Sequence, residues 1–457
     1  MGRKTAWVLM AIGLIALISV CSRSASGDEP LYENDPEIME IIQELGEGQS
    51  VLLPAFRHIV DGEAVEKSGR RGPFARDYTN TMAYAPDRQT ALYCGGNHGL
   101  GRMNDVWEYH LGSNTWYQLH PAEGGDHARH KNMLMFMPRR WEQDPDYQMN
   151  EDEQRQFEAA KAWWNEHVVL KDGHYVTRDN EGPLLVGHTW DTLVYEPNVK
   201  RLLHGTGAHC ATSPWLHHMF TGMPLEDVRT KLGRNPDGKP YRPMWMFDPE
   251  QNKWIDYASE DELSVTRGMG ATMCYIPDWE KTIFYVAAQN VIPNAFEMKT
   301  YDAVNDRWEN LRPNDGESIR NLVHQHNVAP GSEVQTAYSP KHRKMVAVLG
   351  SETFCYDIDK NEWSKLNADI PFAAHNARTV FAYDSVGDVF LLARPRTGQL
   401  AAYDLEANEW QLIEPDGPGI PKPPWCEGKG YYDPTHNVFV VRSAFTQRMW
   451  LYRHKDG

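Results

Sequence analysis

Along most of this chain, apolar and polar residues alternate in short runs that end at Pro, Asp, Asn or Gly. This is the pattern of strands joined by tight turns. The stretch "MAYAPDRQTALYCGG", Met82 to Gly96, shows the unit: an apolar-Tyr pair, Pro two residues on, a polar turn, then a β-rich run. It recurs as "LVYEPNVKRLLHGTG", "MCYIPDWEKTIFYVAA", "TAYSPKHRKMVAVLG", "FAYDSVGDVFLLAR" and "GYYDPTHNVFVVRS". Each copy predicts a two-stranded antiparallel hairpin. A second pair follows the first five copies: "VWEYHLGSNTWYQL", "MWMFDPEQNKWIDY", "KTYDAVNDRWENL", "FCYDIDKNEWSKL" and "AAYDLEANEWQLI". Here an aromatic sits on the third strand, Asn, Asp or Gly makes the turn, and Trp opens the fourth.

Trp254, Trp308, Trp363 and Trp410 recur at roughly fifty residues, the length of one four-stranded blade. Six first hairpins therefore predict an all-β fold, a six-bladed β-propeller. The sixth copy ends at "RMWLYRHKDG", a third strand with no fourth, and an exposed edge of that kind must be paired. The stretch "QSVLLPAF", residues 49–56, is the candidate that closes the ring. Before it, "NDPEIMEIIQELGEG" reads as a helix, with Asp35 as cap, Pro36 at its first position, Ile38, Ile41, Ile42 and Leu45 on one face, and Gly46 after its end. The expected organisation is an export signal over 1–26, a helical segment over 27–48 and the propeller over 49–457.

With these repeats the chain resembles the kelch family, to which the propeller of galactose oxidase belongs, over about residues 76 to 457. The glycine pair of that family is intact at Gly95-Gly96. Elsewhere it reads Gly205-Thr206-Gly207, Ala287-Ala288, Gly350-Ser351 or Ala393-Arg394. The resemblance implies a fold and leaves function open. A weaker resemblance links the chain to propeller-fold polysaccharide lyases, which use His and Tyr at the channel mouth.

In a four-stranded antiparallel blade, the links from second to third strand and from blade to blade share one face. Both long insertions, 121–187 and 206–243, fall on that face. The first contains a helix opening at Asn150, with Glu153 three residues on, that carries Phe157, Trp163, Trp164 and His167. Fourteen of the 19 histidines lie on or beside the same links, although long loops collect polar residues of every kind. First strands line the channel, and their opening residues read "ARDY" near Arg76, "GHTWD" at His188, "TRG" at Arg267, "GSE" at Glu333, "AHNAR" at His375 and "WCEGK" at Glu427 and Lys429. Imidazoles, guanidiniums and carboxylates from separate blades should thus meet at one mouth.

Net charge is −17, and removal of the first 26 residues, with three basic and no acidic side chains, makes it −20. Duplex nucleic acid is excluded as a partner by that charge, whereas a local cationic pocket for an acidic glycan is not. The start, Met1-Gly2-Arg3-Lys4 followed by the apolar run Ala6 to Val20 and then "CSRSASG", reads as a secretory signal. A lipoprotein through Cys21 is the alternative. The expected product is a secreted or periplasmic monomer with no membrane span after processing. The later cysteines, Cys94, Cys210, Cys274, Cys355 and Cys426, form no disulfide framework and read mostly as small buried hydrophobes, with oxidation of one pair after export as the alternative.

Two function classes fit. The enzymatic one is a polysaccharide lyase, which needs a cation to hold a uronate, a base for its carbon-bound proton and an acid for the leaving oxygen. Arg267 or Arg76 would hold the carboxylate, His188, His375 or His326 would be the base, and Tyr78 the acid. His98, Glu427 and Lys429 would complete the substrate site. His204, His209 and Cys210 are candidate ligands for zinc or another divalent metal, and His324 with His326 offers two imidazoles on one extended segment. Copper-oxidase chemistry of the galactose oxidase kind fits less well, because its cysteine-tyrosine crosslink and Tyr-His pair are not locatable by motif. The rival class is a non-catalytic propeller that grips a glycan or protein.

Overall fold

The computed structural model describes residues 31–66, 73, 81–95, 104–122, 130, 132–171, 174–178, 181–183, 186, 189–205, 214–231, 244–257, 271–286, 297–314, 334–374, 378–422, 428–443 and 446–457. The expected export signal lies outside them. Six sheets stand around an axis, and each contains a four-stranded antiparallel meander, in chain order except at the ring closure. Their first strands are Ala83–Ala85, Leu193–Glu196, Thr272–Ile276, Gln335–Ser339, Val380–Asp384 and Lys429–Asp433. Each of these packs against the first strand of the next blade, and the sixth packs against the first, so they form the innermost ring. In the last blade the outer strand is Ser50–Ala55, antiparallel to Arg448–Tyr452, so the N-terminal side of the chain closes the circle as expected from the missing fourth strand. The segment just after it holds a surprise. Arg57–Val60 runs parallel to Thr115–His120 and Glu63–Val65 folds back on it, which widens the first blade to six strands.

The repeated aromatics explain why the hairpins form. In five blades the third-strand aromatic faces the fourth-strand Trp directly: Tyr109 with Trp116, Phe247 with Trp254, Tyr301 with Trp308, Tyr356 with Trp363 and Tyr403 with Trp410. Their ring centroids are 4.7 to 5.4 Å apart, a pairing worth about 0.5–1.5 kcal/mol beyond the area it buries. Five residues past each aromatic the chain turns through a left-handed residue: Asn114, Asn252, Asp306, Asn361 or Asn408. Asn and Asp tolerate that conformation best among residues with a Cβ. Where the aromatic is Tyr, its hydroxyl donates to the side-chain oxygen of that turn residue at 2.7 to 2.9 Å. One sequence signature thus encodes pair, turn and turn lock together. The first hairpins turn the same way at Gln89, Lys200, Glu280, Arg343, Asp388 and Asn437.

The N-terminal helix α1, Pro36–Glu44, is capped by Asp35, whose carboxylate accepts the Glu37 amide at 3.1 Å, and it buries Ile38 and Ile42. Just ahead of it Tyr32 stacks on Tyr117 at 3.8 Å and donates to Glu108, a buried carboxylate that also takes Arg88 and Thr90. Cys94, Cys274 and Cys355 are buried.

The two insertions fold onto each other. The first supplies α2 (Met137–Gln143), α3 (Glu151–His167) and the hairpin Val168–Lys171 with His174–Thr177; the second supplies α4 (Pro214–Thr221) and α5 (Leu225–Lys231). At the start of α3 the Asn150 side chain accepts the Asp152 and Glu153 amides while Glu153 accepts the Asn150 amide, the reciprocal arrangement that its sequence spacing predicts. Trp141, Phe157, Trp164 and Tyr175 from the first insertion pack with Leu216, Phe220 and Val228 from the second in a core of their own. By strand order this helical cap sits on the link face of the disc. Among the described residues no helix is long and apolar enough to cross a membrane.

Candidate functional site at the capped mouth

The first strand of every blade starts on the link face, so its opening residues form a belt at the capped end of the channel. The described members of that belt are polar in all six blades: Thr81, Asp191 with Thr192, Thr272, Gln335 with Thr336, Thr379 and Lys429. They bond across blades. Gln335 donates to the Thr379 carbonyl at 3.1 Å and accepts from its hydroxyl. Parallel bridges join Thr81 to Gly430 and Asp191 to Thr272 at the same level. A blade contributes a narrow, polar end here and a broad apolar flank below.

Asp191 is the centre of the belt. Its carboxylate accepts the Thr81 hydroxyl from blade one, the Thr272 hydroxyl from blade three at 2.5 Å and the Thr336 amide from blade four at 3.1 Å. With its own strand in blade two, this side chain ties four of the six blades. It is 4% exposed, and removal from water disfavours the charged form. Burial therefore raises its carboxyl to about 7, against the pull of the hydrogen bonds from Thr272, Thr81 and Thr336. At the other end of the same strand, burial also raises Glu196 to about 7, against hydrogen bonds from Thr282 and Asn198. Glu196 sits at the turn face and serves a local turn, with Thr282 donating at 3.1 Å and Asn198 at 2.7 Å. A perturbed carboxyl alone does not make a site, and Asp191 stands apart by its place beside the axis.

Of the site residues expected from sequence, two lie within the described residues. Lys429 opens the first strand of blade six and is wholly buried. Its ammonium donates to the Tyr93 hydroxyl and, at 3.4 Å, to the Pro73 carbonyl, and it lies 4.1 Å from the Tyr93 ring centre. Directly across the hairpin is Arg442, also wholly buried, which donates to the same Pro73 carbonyl and covers the Phe56 ring at 4.8 Å. Two cations thus share the seam between blades six and one at the mouth.

His204 ends the second strand of blade two, buried, with its ring edge-on to Trp254 at 6.2 Å. Desolvation lowers its imidazole to about 4, so it is neutral at physiological pH, the form in which an imidazole binds a metal. Among the described residues, however, the one grouping of three metal-ligating side chains is His342, Asp388 and Glu406, on the opposite face. There Asp388 already accepts from Lys341, from Tyr383 at 2.6 Å and from His342 at 2.9 Å. That cluster reads as a satisfied ion-pair network. His188, His375, His326, Arg267, Tyr78, His98, Arg76, Glu427, His209 and Cys210 lie outside the described residues.

Sequence reasoning passed over Asp191, although it ends the quoted stretch "GHTWD", because weight went to imidazoles. Aligning the six copies on Tyr84, Tyr195, Tyr275, Tyr338, Tyr383 and Tyr432 finds the belt two to four residues upstream, rich in Thr, with Asp191 and Lys429 as its described charges. Arg442 carried no such signal, since it closes a strand of ordinary β pattern. Neither a protein-family model nor a curated protein sequence matches the chain.

Proposed function

We propose that the capped mouth binds an acidic glycan outside the cytoplasm and cleaves it by elimination beside a uronate. The observation that carries this reading is the convergence on one face of both insertions and the polar ends of all six inner strands, with Lys429 and Arg442 at one seam. A carboxylated polymer suits such a place better than an apolar ligand does. The kelch-like repeats and the apolar start of the chain support the same reading of an exported carbohydrate-active propeller. In it, Arg267 or Arg76 holds the uronate, His188, His375 or His326 takes the carbon-bound proton, and Tyr78 protonates the leaving oxygen. His98 and Glu427 contact neighbouring sugars, and Lys429 and Arg442 add positive potential from beneath. A metal on His204, His209 and Cys210 would serve as a local structural tie.

Elimination leaves an unsaturated sugar, so incubation with a panel of uronate polymers should raise ultraviolet absorbance. Separate His188→Ala and His375→Ala variants should lower that rate about 100-fold for whichever residue is the base. The second reading, a propeller that binds without cleaving, is favoured by the engagement of Asp191 and Lys429 with neighbouring blades. Glycan binding without new absorbance would establish it for a glycan, and absence of both binding and product across the panel would remove the elimination reading and leave a propeller that grips a protein.

A further inference from the structure

The cradle of Asp191 contains more than a structural tie needs. Thr272 Oγ1 lies 2.5 Å from Asp191 Oδ2 and 2.6 Å from Thr336 Oγ1, so carboxyl and two hydroxyls stand in series across three blades. A hydroxyl carries one hydrogen and accepts two, and it rotates to suit its neighbours. With Asp191 ionised, Thr336 donates to Thr272 and Thr272 donates to the carboxylate. With a proton on the carboxyl, the same chain runs the other way: Asp191 donates to Thr272, and Thr272 to Thr336. No heavy atom has to move in either direction. Thr81 offers a second reversible hydroxyl on the other carboxyl oxygen.

We infer that Asp191, Thr272 and Thr336 form a proton-holding relay at the mouth, which takes up a proton when an anionic ligand is bound beneath the cap. The ligand's location rests on the function proposed above; the relay itself rests on the hydroxyl series. An anionic ligand raises the carboxyl in two ways, by excluding remaining water and by adding negative charge. Both favour the protonated form, so the exchange is an uptake. Among the described residues, the groups that face Asp191 from its neighbours are hydroxyls and an amide, Thr81, Thr272 and Thr336, and the Cys274 thiol, which burial and Asp191 itself hold protonated. The resting carboxyl is raised by burial to about 7, which puts the exchange in the neutral range. Asp191 acts here as a positioning and proton-storing residue; contact with substrate is left to the rim.

Calorimetric titration of the full chain with a uronate tetrasaccharide, in two buffers of different ionisation heat at pH 7.5, reads the proton count. The relay predicts uptake of a fraction of one proton, abolished in Asp191→Asn while binding persists. Binding with no buffer dependence, or uptake unchanged in Asp191→Asn, overturns it. If no uronate oligosaccharide binds, the glycan reading fails and a ligand-free measurement decides the relay. The unfolded carboxyl ionises near pH 4 and the folded one near 7, so the native state holds the extra proton between them and stability falls as pH rises through that window. The urea midpoint of the wild type should therefore drop more steeply between pH 4 and 7 than that of Asp191→Asn, and superimposable profiles overturn the proposal. Should Asp191→Asn fail to fold, Thr272→Val keeps the shape and removes the first hydroxyl. It should move the drop to higher pH by loss of a donor to the ionised form, and an unmoved profile counts against the relay.

Discussion

The two faces of the disc are built on different principles. On the turn face eleven hairpins close through a left-handed residue five positions after an aromatic or Tyr marker, and four of them carry the same Tyr-to-turn hydrogen bond at the second hairpin. On the link face the connections differ in length and sequence, and two of them supply helices that share a cap with its own core. Repetition serves folding, since each blade solves the same packing problem with the same side chains. Departure from repetition marks where the chain does something other than fold.

Substitutions in the two regions should therefore behave differently. The largest effect is expected from Trp363→Ala. This ring is buried in blade four and paired with Tyr356 at 5.2 Å, and its loss should lower global stability by about 3–5 kcal/mol in urea unfolding. Trp164→Ala opens a hole of the same kind in the cap, between Tyr175 and Phe220. Hydrogen exchange should show the helices of the cap losing protection while the inner strands keep theirs; a single shifted transition for the whole chain would make cap and propeller one cooperative unit. Asn361→Val should cost about 2 kcal/mol, because a β-branched residue is forced to φ +52° and the Tyr356 hydroxyl loses its acceptor. The smallest effect belongs to Arg155→Ala. Its pair with Asp152 on α3 is 71% and 64% exposed, and thermal melting should be unchanged within error.

Local chemistry was legible in the sequence, and long-range assembly much less so. The Tyr and Trp spacing, the Asp35-Pro36 cap and the Asn150/Glu153 pair each act within a few residues, so a short window contains the whole cause. The closing strand was found because a missing fourth strand demands a partner. The parallel pairing of Arg57 with Thr115 has no such demand behind it, and the joint core of the insertions depends on two segments separated by a strand pair. Asp191 was hidden for a different reason. A single carboxylate near a histidine looks unremarkable until three other blades are seen to donate to it.

The most direct test of the central claim, that ligand is taken at the capped mouth, is hydrogen exchange with and without a uronate oligosaccharide. Protection is expected in α3 and α4 and at the opening residues of the inner strands, Asp191, Thr272 and Thr336, with the eleven turns of the opposite face unchanged. Protection confined to the turn face, or spread over the outer strands with none at the belt, would contradict the account.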